Sequence, residues 1–231
     1  MSDEHVLKKT WPKRLPEVNH AGTAWVWFDP ATGKRERKQV GTSAWNIRVP
    51  RLCAECNSRS DVLIEQPVEP FIFELANGDL DAATGLSKEQ SDLLTAWTVK
   101  TGVMQAATRP GIEIPAAALD VVRASMRLGP LTAFARLASQ PCDVLDTWFF
   151  ESRMHLWQQV AHVHLIAIRK VALLSVVSFS RFAADAITSD LMGRFDTGSD
   201  APTTEEQYVA MAQDVLQDSY RYLASRGSSS G

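Results

Sequence analysis

The segment SKEQ, Ser87 to Gln90, is the strongest folding instruction in this sequence. A serine at a helix N-cap accepts a hydrogen bond from the backbone three residues on, and a glutamine there reaches back to the cap. Behind it Leu93, Leu94, Trp97, Thr101 and Met104 recur at helical spacing, which predicts a helix over Lys88 to Ala107 with those side chains in a core. PGIEIP, Pro110 to Pro115, breaks the pattern, and a further helix is expected over Ala116 to Arg127, stopped by Gly129-Pro130.

Upstream the period changes. AWVWF, Ala24 to Phe28, is aromatic and β-branched and reads as a strand. DPATG, Asp29 to Gly33, is a turn, and KRERKQV, Lys34 to Val40, returns as an exposed basic strand. SAWNIRVP, Ser43 to Pro50, reads as another strand, with Trp45, Ile47 and Val49 on one face and Pro50 ending it. A short helix should follow over RLCAECNSRSDVLIEQPV. Leu52, Cys56, Leu63 and Ile64 would share a face, and Pro67 would close it. The expected order is hairpin, then helix.

Downstream, Asp146 to Gln158 is ambiguous. Ala161 to Ser180, rich in Val and Ile, fits two adjacent strands or one long bent strand, though AHVHLIAIRKVA could wind as a helix. A second capping box, Thr203 to Glu206, should open a final helix over Glu205 to Ala224 that buries Tyr208, Met211, Val215 and Leu223. The terminal GSSSG has linker composition and is left out of the fold.

Charge is unevenly spread. Residues 1–60 hold 11 Lys and Arg against 6 Asp and Glu, whereas the whole chain has a net charge of −3. A basic front on an acidic body suggests an anionic partner such as nucleic acid, although a solvated basic face would look the same. The 3 cysteines are too few for a disulfide framework, which points to a reducing, cytoplasmic setting. Residues 1–20 lack the apolar run of a secretory signal, and VALLSVVSF, Val171 to Phe179, is too short to span a bilayer, so no membrane partner is expected.

Three segments carry a resemblance: EHVLKKTWPKRL from Glu4, CAECNSRSDVLIEQ from Cys53, and LLTAWTVKTGVM from Leu93. Together they resemble an HNH-type endonuclease family of bacteria and phages. That family opens on E-H-V-x-P-x-W-L, continues with C-x-x-C-N and a Leu-Glu pair, and ends on a W-x-x-K-T helix. The resemblance covers roughly residues 4–107. It implies an α+β chain with a degenerate HNH-like ββα unit over 1–66, packed on a mixed helical and β body over 67–225, with a tail over 226–231.

The resemblance also implies roles. His5 matches the general base, a task suited to imidazole near neutral pH. Glu4 and Asn57 match ligands of a divalent metal, Mg²⁺ or Mn²⁺, and Asn46 would orient the histidine. Cys53 and Cys56 match half of a zinc knuckle. Family members usually carry a second pair ahead of the Glu-His dipeptide, and here Glu4 lies three residues after Met1. A complete structural zinc site is therefore not expected: the knuckle is lost, or the start is truncated. Without zinc the two cysteines read as small core residues. His20 and Cys142 are the remaining candidate donors.

The implied activity is metal-dependent hydrolysis of DNA phosphodiesters, of the phage or mobile-element kind. Lys34, Arg35, Arg37, Lys38, Arg48, Arg51 and Arg59 would contact phosphates without sequence preference. Trp25 and Trp27 adjoin the basic run and are candidates for base stacking. His155, His162 and His164 could form a metal cluster, but packing is the reading preferred for them. The alternative function is a catalytically inactive derivative that binds nucleic acid or a host protein. Oligomeric state is not legible.

Overall fold

The computed structural model describes residues 2–15, 23–40, 44–52, 54–78, 86–108, 133–138, 148–156, 159–169, 171–178, 187 and 204–227. The architecture is mixed α+β. Strands β1 (Ser2–His5) and β4 (Arg48–Leu52) form an antiparallel pair. A second, six-stranded sheet has the order β3-β2-β6-β7-β8-β5. Its members are β2 (Thr23–Asp29), β3 (Lys34–Val40), β5 (Ala133–Ala138), β6 (Trp148–Leu156), β7 (Gln159–Ile168) and β8 (Val171–Ser178).

The β2–β3 hairpin forms where the sequence predicts it. Asp29 caps its own turn, accepting from the Ala31 backbone N–H at 2.9 Å and the Thr32 hydroxyl at 2.7 Å. Gly33 closes the turn at φ 70°, a conformation that favours glycine. The hairpin does not, however, feed the helix directly. It joins the large sheet, where β2 pairs in parallel with β6, and β1 and β4 are the strand pair that precedes the helix. Strand pairing thus crosses residue 66, the expected edge of the first unit.

Three local expectations need correction. Ser43 to Pro50 is not one strand: Ala44–Asn46 is a 3-10 turn, and β4 runs through Pro50. The β1–β4 register shifts there, from Ser2 opposite Leu52 to Glu4 opposite Val49, so a residue without an N–H is tolerated. The helix does not close at Pro67. It runs on as α1 (Ala54–Ser60), a π turn (Asp61–Glu65) and α2 (Gln66–Ala76), with Pro70 also inside. The Gln66 N–H bonds the Asp61 carbonyl, five residues back, and this wider turn makes room for the Pro67 ring beside the Leu63 carbonyl. In consequence Leu63 is exposed, not buried beside Ile64. The last capping box lies one residue later than expected, between Thr204 and Gln207.

Helix α3 (Lys88–Ala107) has the expected bounds, and both hydrogen bonds of its Ser87–Gln90 capping box are present. Leu93, Leu94, Trp97, Thr101 and Met104 are all buried. It lies between α2 and the sheet strands β5, β7 and β8. Gly102 meets β7 closely: a Cβ there would fall 2.6 Å from the His164 ring. One core unites Trp11, Trp45, Ile64, Ile72 and Trp97 with Ile166, Ile168 and Leu173 of the sheet.

The opposite face of the sheet, with Val26, Phe28, Val163 and Leu165, belongs to helix α4 (Glu205–Gly227), which packs on β6. Tyr208, Val215 and Leu223 of α4 are buried and Met211 is half-buried. β7 and β8 are two antiparallel strands, paired as far as Ile168 opposite Val171, with Arg169 in the turn, so the helical alternative for AHVHLIAIRKVA does not hold. Arg169 takes φ 50° in that turn, and its guanidinium donates to the Asn77 side chain at 2.6 Å, tying the hairpin tip to the end of α2. The expected helix over 116–127 lies outside the described residues. Among the described residues no helix is long and apolar enough to cross a membrane.

Candidate functional site

Glu4 and His5 are the last residues of β1, where pairing sets Glu4 opposite Val49 and His5 opposite Arg48. The ladder continues one step further, with the Val6 N–H donating to the Ile47 carbonyl at 2.9 Å. Asn46 follows at the end of the 3-10 turn and is exposed, next to Ile47, whose carbonyl takes that bond. Asn57 is half-buried on α1, a helix in contact with β1. Alternation orients the chain leading into β4: Trp45 and Val49 are buried while Asn46 and Arg48 are exposed.

Arg51 is on β4 and Arg59 is exposed on α1. The basic run Lys34, Arg35, Arg37 and Lys38 is exposed along β3, an edge of the large sheet, not on the β1–β4 pair. Trp25 and Trp27 on β2 are half-buried, and Trp25 packs against the core. Cys56 is on α1; Cys53, His20 and Cys142 lie outside the described residues. His155 is on β6, and His162 and His164 are both on β7, His164 buried beneath Gly102. Among the described residues no three His, Cys, Asp or Glu cluster as metal ligands.

A divalent ion at this end would draw on Glu4 and Asn57. Both are oxygen donors, the type that hard cations take, and Mg²⁺ keeps several waters when a protein offers only one carboxylate. Asn57 sits on a helix in contact with the strand that carries Glu4.

The sequence reading missed the charge network behind this end. Glu65, on the π turn, pairs with Lys100 of α3 in the interior, with side chains 7% and 1% exposed. Lys8 donates to Asp61 at 2.7 Å and lies 3.6 Å from Glu69, while Arg14 bonds Glu69 at 2.6 Å. Thr101 and Gln105, on an adjoining face of α3, are buried as well, and among the described residues their side-chain polar atoms have no hydrogen-bond partner. The available signal for the buried pair was a lysine among helix positions otherwise assigned to the core.

Partial burial pushes the Lys8 amine down, but the Asp61 hydrogen bond and the charges of Asp61, Glu65 and Glu69 outweigh it and raise its pKa. Partial burial pushes the Asp61 carboxyl up, but hydrogen bonds from Lys8 and Gln66 and the charges of Lys8 and Lys100 hold it below its usual value. The depressed acid stabilises the fold above its unfolded pKa and loses that contribution as pH falls through the folded one. The raised amine contributes fully below its unfolded pKa and loses it as pH rises through the folded one. We therefore expect Asp61→Asn to destabilise the protein at neutral pH and to flatten the acid limb of its stability curve. Parallel urea titrations of wild type and variant between pH 3 and pH 7, still converging by no amount at the acid end, would contradict this.

No family model, curated protein or solved structure matches the chain.

Proposed function

We propose that this protein is a divergent HNH-like endonuclease that hydrolyses DNA phosphodiesters with a divalent metal, of the phage or mobile-element kind. The observation that carries the reading is the interlocking of the three motif segments. Lys8 and Trp11 of the first meet Asp61 of the second and Trp97 of the third, and Glu65 of the second meets Lys100 of the third. Three short matches scattered by chance along a sequence have no reason to become one another's partners. The strand pair β1–β4 followed by α1 supports a ββα arrangement.

In this reading His5 takes the proton from the attacking water, and its strand is held by pairing with β4. Asn46 helps to orient His5. Arg48, across the ladder from His5, holds a phosphate by charge, as do the cations of β3 and Arg59. Mg²⁺ or Mn²⁺ bound by Glu4 and Asn57 would stabilise charge on the phosphoryl group and the leaving oxygen.

The test is nicking of supercoiled plasmid in Mg²⁺ or Mn²⁺. His5→Ala should lower the rate at least ~100-fold while leaving DNA affinity in place. A wild type that binds DNA but never nicks it would leave a binding module. Equal nicking by wild type and variant would remove His5 from the chemistry.

A further inference from the structure

A helix with one face in a core ordinarily turns polar residues to the other. The continuous helix through α1, the π turn and α2 does so only at its ends. Its inner face, with Ile64, Val68, Ile72 and Leu75, is buried. Its outer stripe runs from exposed Arg59 to exposed Glu74, and its middle is apolar: Val62, Leu63, Pro67 and Pro70 are all exposed, with Gln66 the one exposed polar residue among them. The half-buried acids beside the stripe, Asp61 and Glu69, are held by Lys8 and Arg14. Val62 is 57% and Leu63 40% exposed, and among the described residues the other large apolar side chain so exposed is Tyr222, on α4. Single exposed apolar residues are ordinary, whereas a contiguous apolar stripe with a charged rim marks a contact surface.

The stripe is complementary to its own copy. In a two-fold interface residue i meets j and j meets i. With Arg59 set opposite Glu74 of a second, antiparallel copy, Leu63 falls opposite Pro70, Val62 opposite the half-buried Phe71, and Gln66 opposite Pro67. Opposite charges then meet at both ends of the stripe, which is roughly 22 Å long at the rise of an α-helix. Other alignments lose this match. A parallel arrangement sets Arg59 on Arg59 and Glu74 on Glu74. Sliding the antiparallel one by a turn sets Glu74 against Glu55 in one direction and against Leu63 in the other. Charge therefore selects both direction and register. The prolines favour association as well, because their rings have almost no side-chain entropy to lose. We propose that this stripe is the contact face of a homodimer, two copies lying antiparallel across a two-fold axis. One helix face from each copy makes a small interface, so the dimer is reversible and concentration-dependent. Arg59 so engaged is withdrawn from phosphate, and the inference stands apart from the nucleic-acid reading above.

The experiment is sedimentation equilibrium of the full chain over a concentration series. The substituted positions are exposed, so the variants should fold, which thermal melts would verify. Wild type should follow a monomer–dimer equilibrium, and Leu63→Asp should be monomeric throughout. Arg59→Glu and Glu74→Arg each turn two symmetry-related attractions into repulsions, so each should weaken the dimer about tenfold or more. The double variant Arg59→Glu/Glu74→Arg restores opposite charges at both ends and should return to within about threefold of wild type. A wild type that stays monomeric at its highest soluble concentration would overturn the proposal and leave the stripe to a different partner. A dimer indifferent to Leu63→Asp would place the contact elsewhere. A double variant no tighter than the single ones would overturn the antiparallel register.

Discussion

Lys100→Ala should cost about 3–5 kcal/mol of folding stability, the usual loss when one partner of a buried ion pair is removed. The lysine is 1% exposed and its partner Glu65 is 7% exposed, so neither charge can turn to bulk water without moving α3 or the π turn. Removing the amine strands a carboxylate in the core. The informative comparison is the double variant Glu65→Leu/Lys100→Met, which removes both charges and keeps most of the volume. It should recover most of the loss, because apolar replacements of a buried pair are often neutral or stabilising. Urea denaturation of the two single variants and the double variant gives the coupling. Additive losses would mean that the two side chains do not act as a pair.

That pair also shows where local sequence reasoning stops. Lys100 and Glu65 each sit in a segment that pattern reading placed on a helix, but 35 positions separate them and no local rule joins them. The same holds for the sheet. β2 was legible as a strand from Trp, Val and Phe, and β7 and β8 from their Val and Ile content. The parallel pairing of β2 with β6 was not, since the Ser152 hydroxyl reaches the Phe28 carbonyl across 124 positions. Local punctuation misled where tertiary packing overrode it. Pro67 is a good stop signal in isolation. Here Val68, Ile72, Phe73 and Leu75 beyond it are buried, and their packing holds the helix together through a widened turn. Conversely α3 was read with its bounds because its cap, its length and its apolar spacing all specify the same helix.

The candidate site was legible as residue types but not as an arrangement. Glu4, His5, Asn46 and Asn57 were singled out by motif, and β1–β4 pairing brings the first three to neighbouring strand ends. The basic run was legible as charge, whereas its place at an edge of the large sheet needed the pairing with β2. The two networks behind the site depend on the π turn, which holds Asp61 for Lys8 and Glu65 for Lys100. No sequence signal marked that turn beyond the proline that follows it.

Trp97→Ala is expected to lose about 3–5 kcal/mol through transfer and cavity terms, since the indole is 2% exposed. Its ring stacks on Trp11 with centroids 5.5 Å apart and planes 26° apart. Trp11 in turn meets Phe73 edge-on at 5.4 Å and Trp45 at 6.3 Å, and the Arg14 guanidinium lies 4.1 Å from the centre of Phe73. These rings come from the segment after β1, the turn before β4, α2 and α3, so the cluster holds the N-terminal strand pair to the helices. Stacked aromatic pairs add roughly 0.5–1.5 kcal/mol beyond the area they bury, so Trp11→Ala and Trp97→Ala should be non-additive by about that much. The loss should also reach the candidate site: with Trp97 gone, β1 loses its support, and amide exchange at Val6, whose N–H is bonded to Ile47, should quicken relative to amides of β7. An unchanged melting temperature would show that the ring is not packed as described. Uniform acceleration across both strand systems would show that the cluster supports the whole fold and not the N-terminal pair in particular.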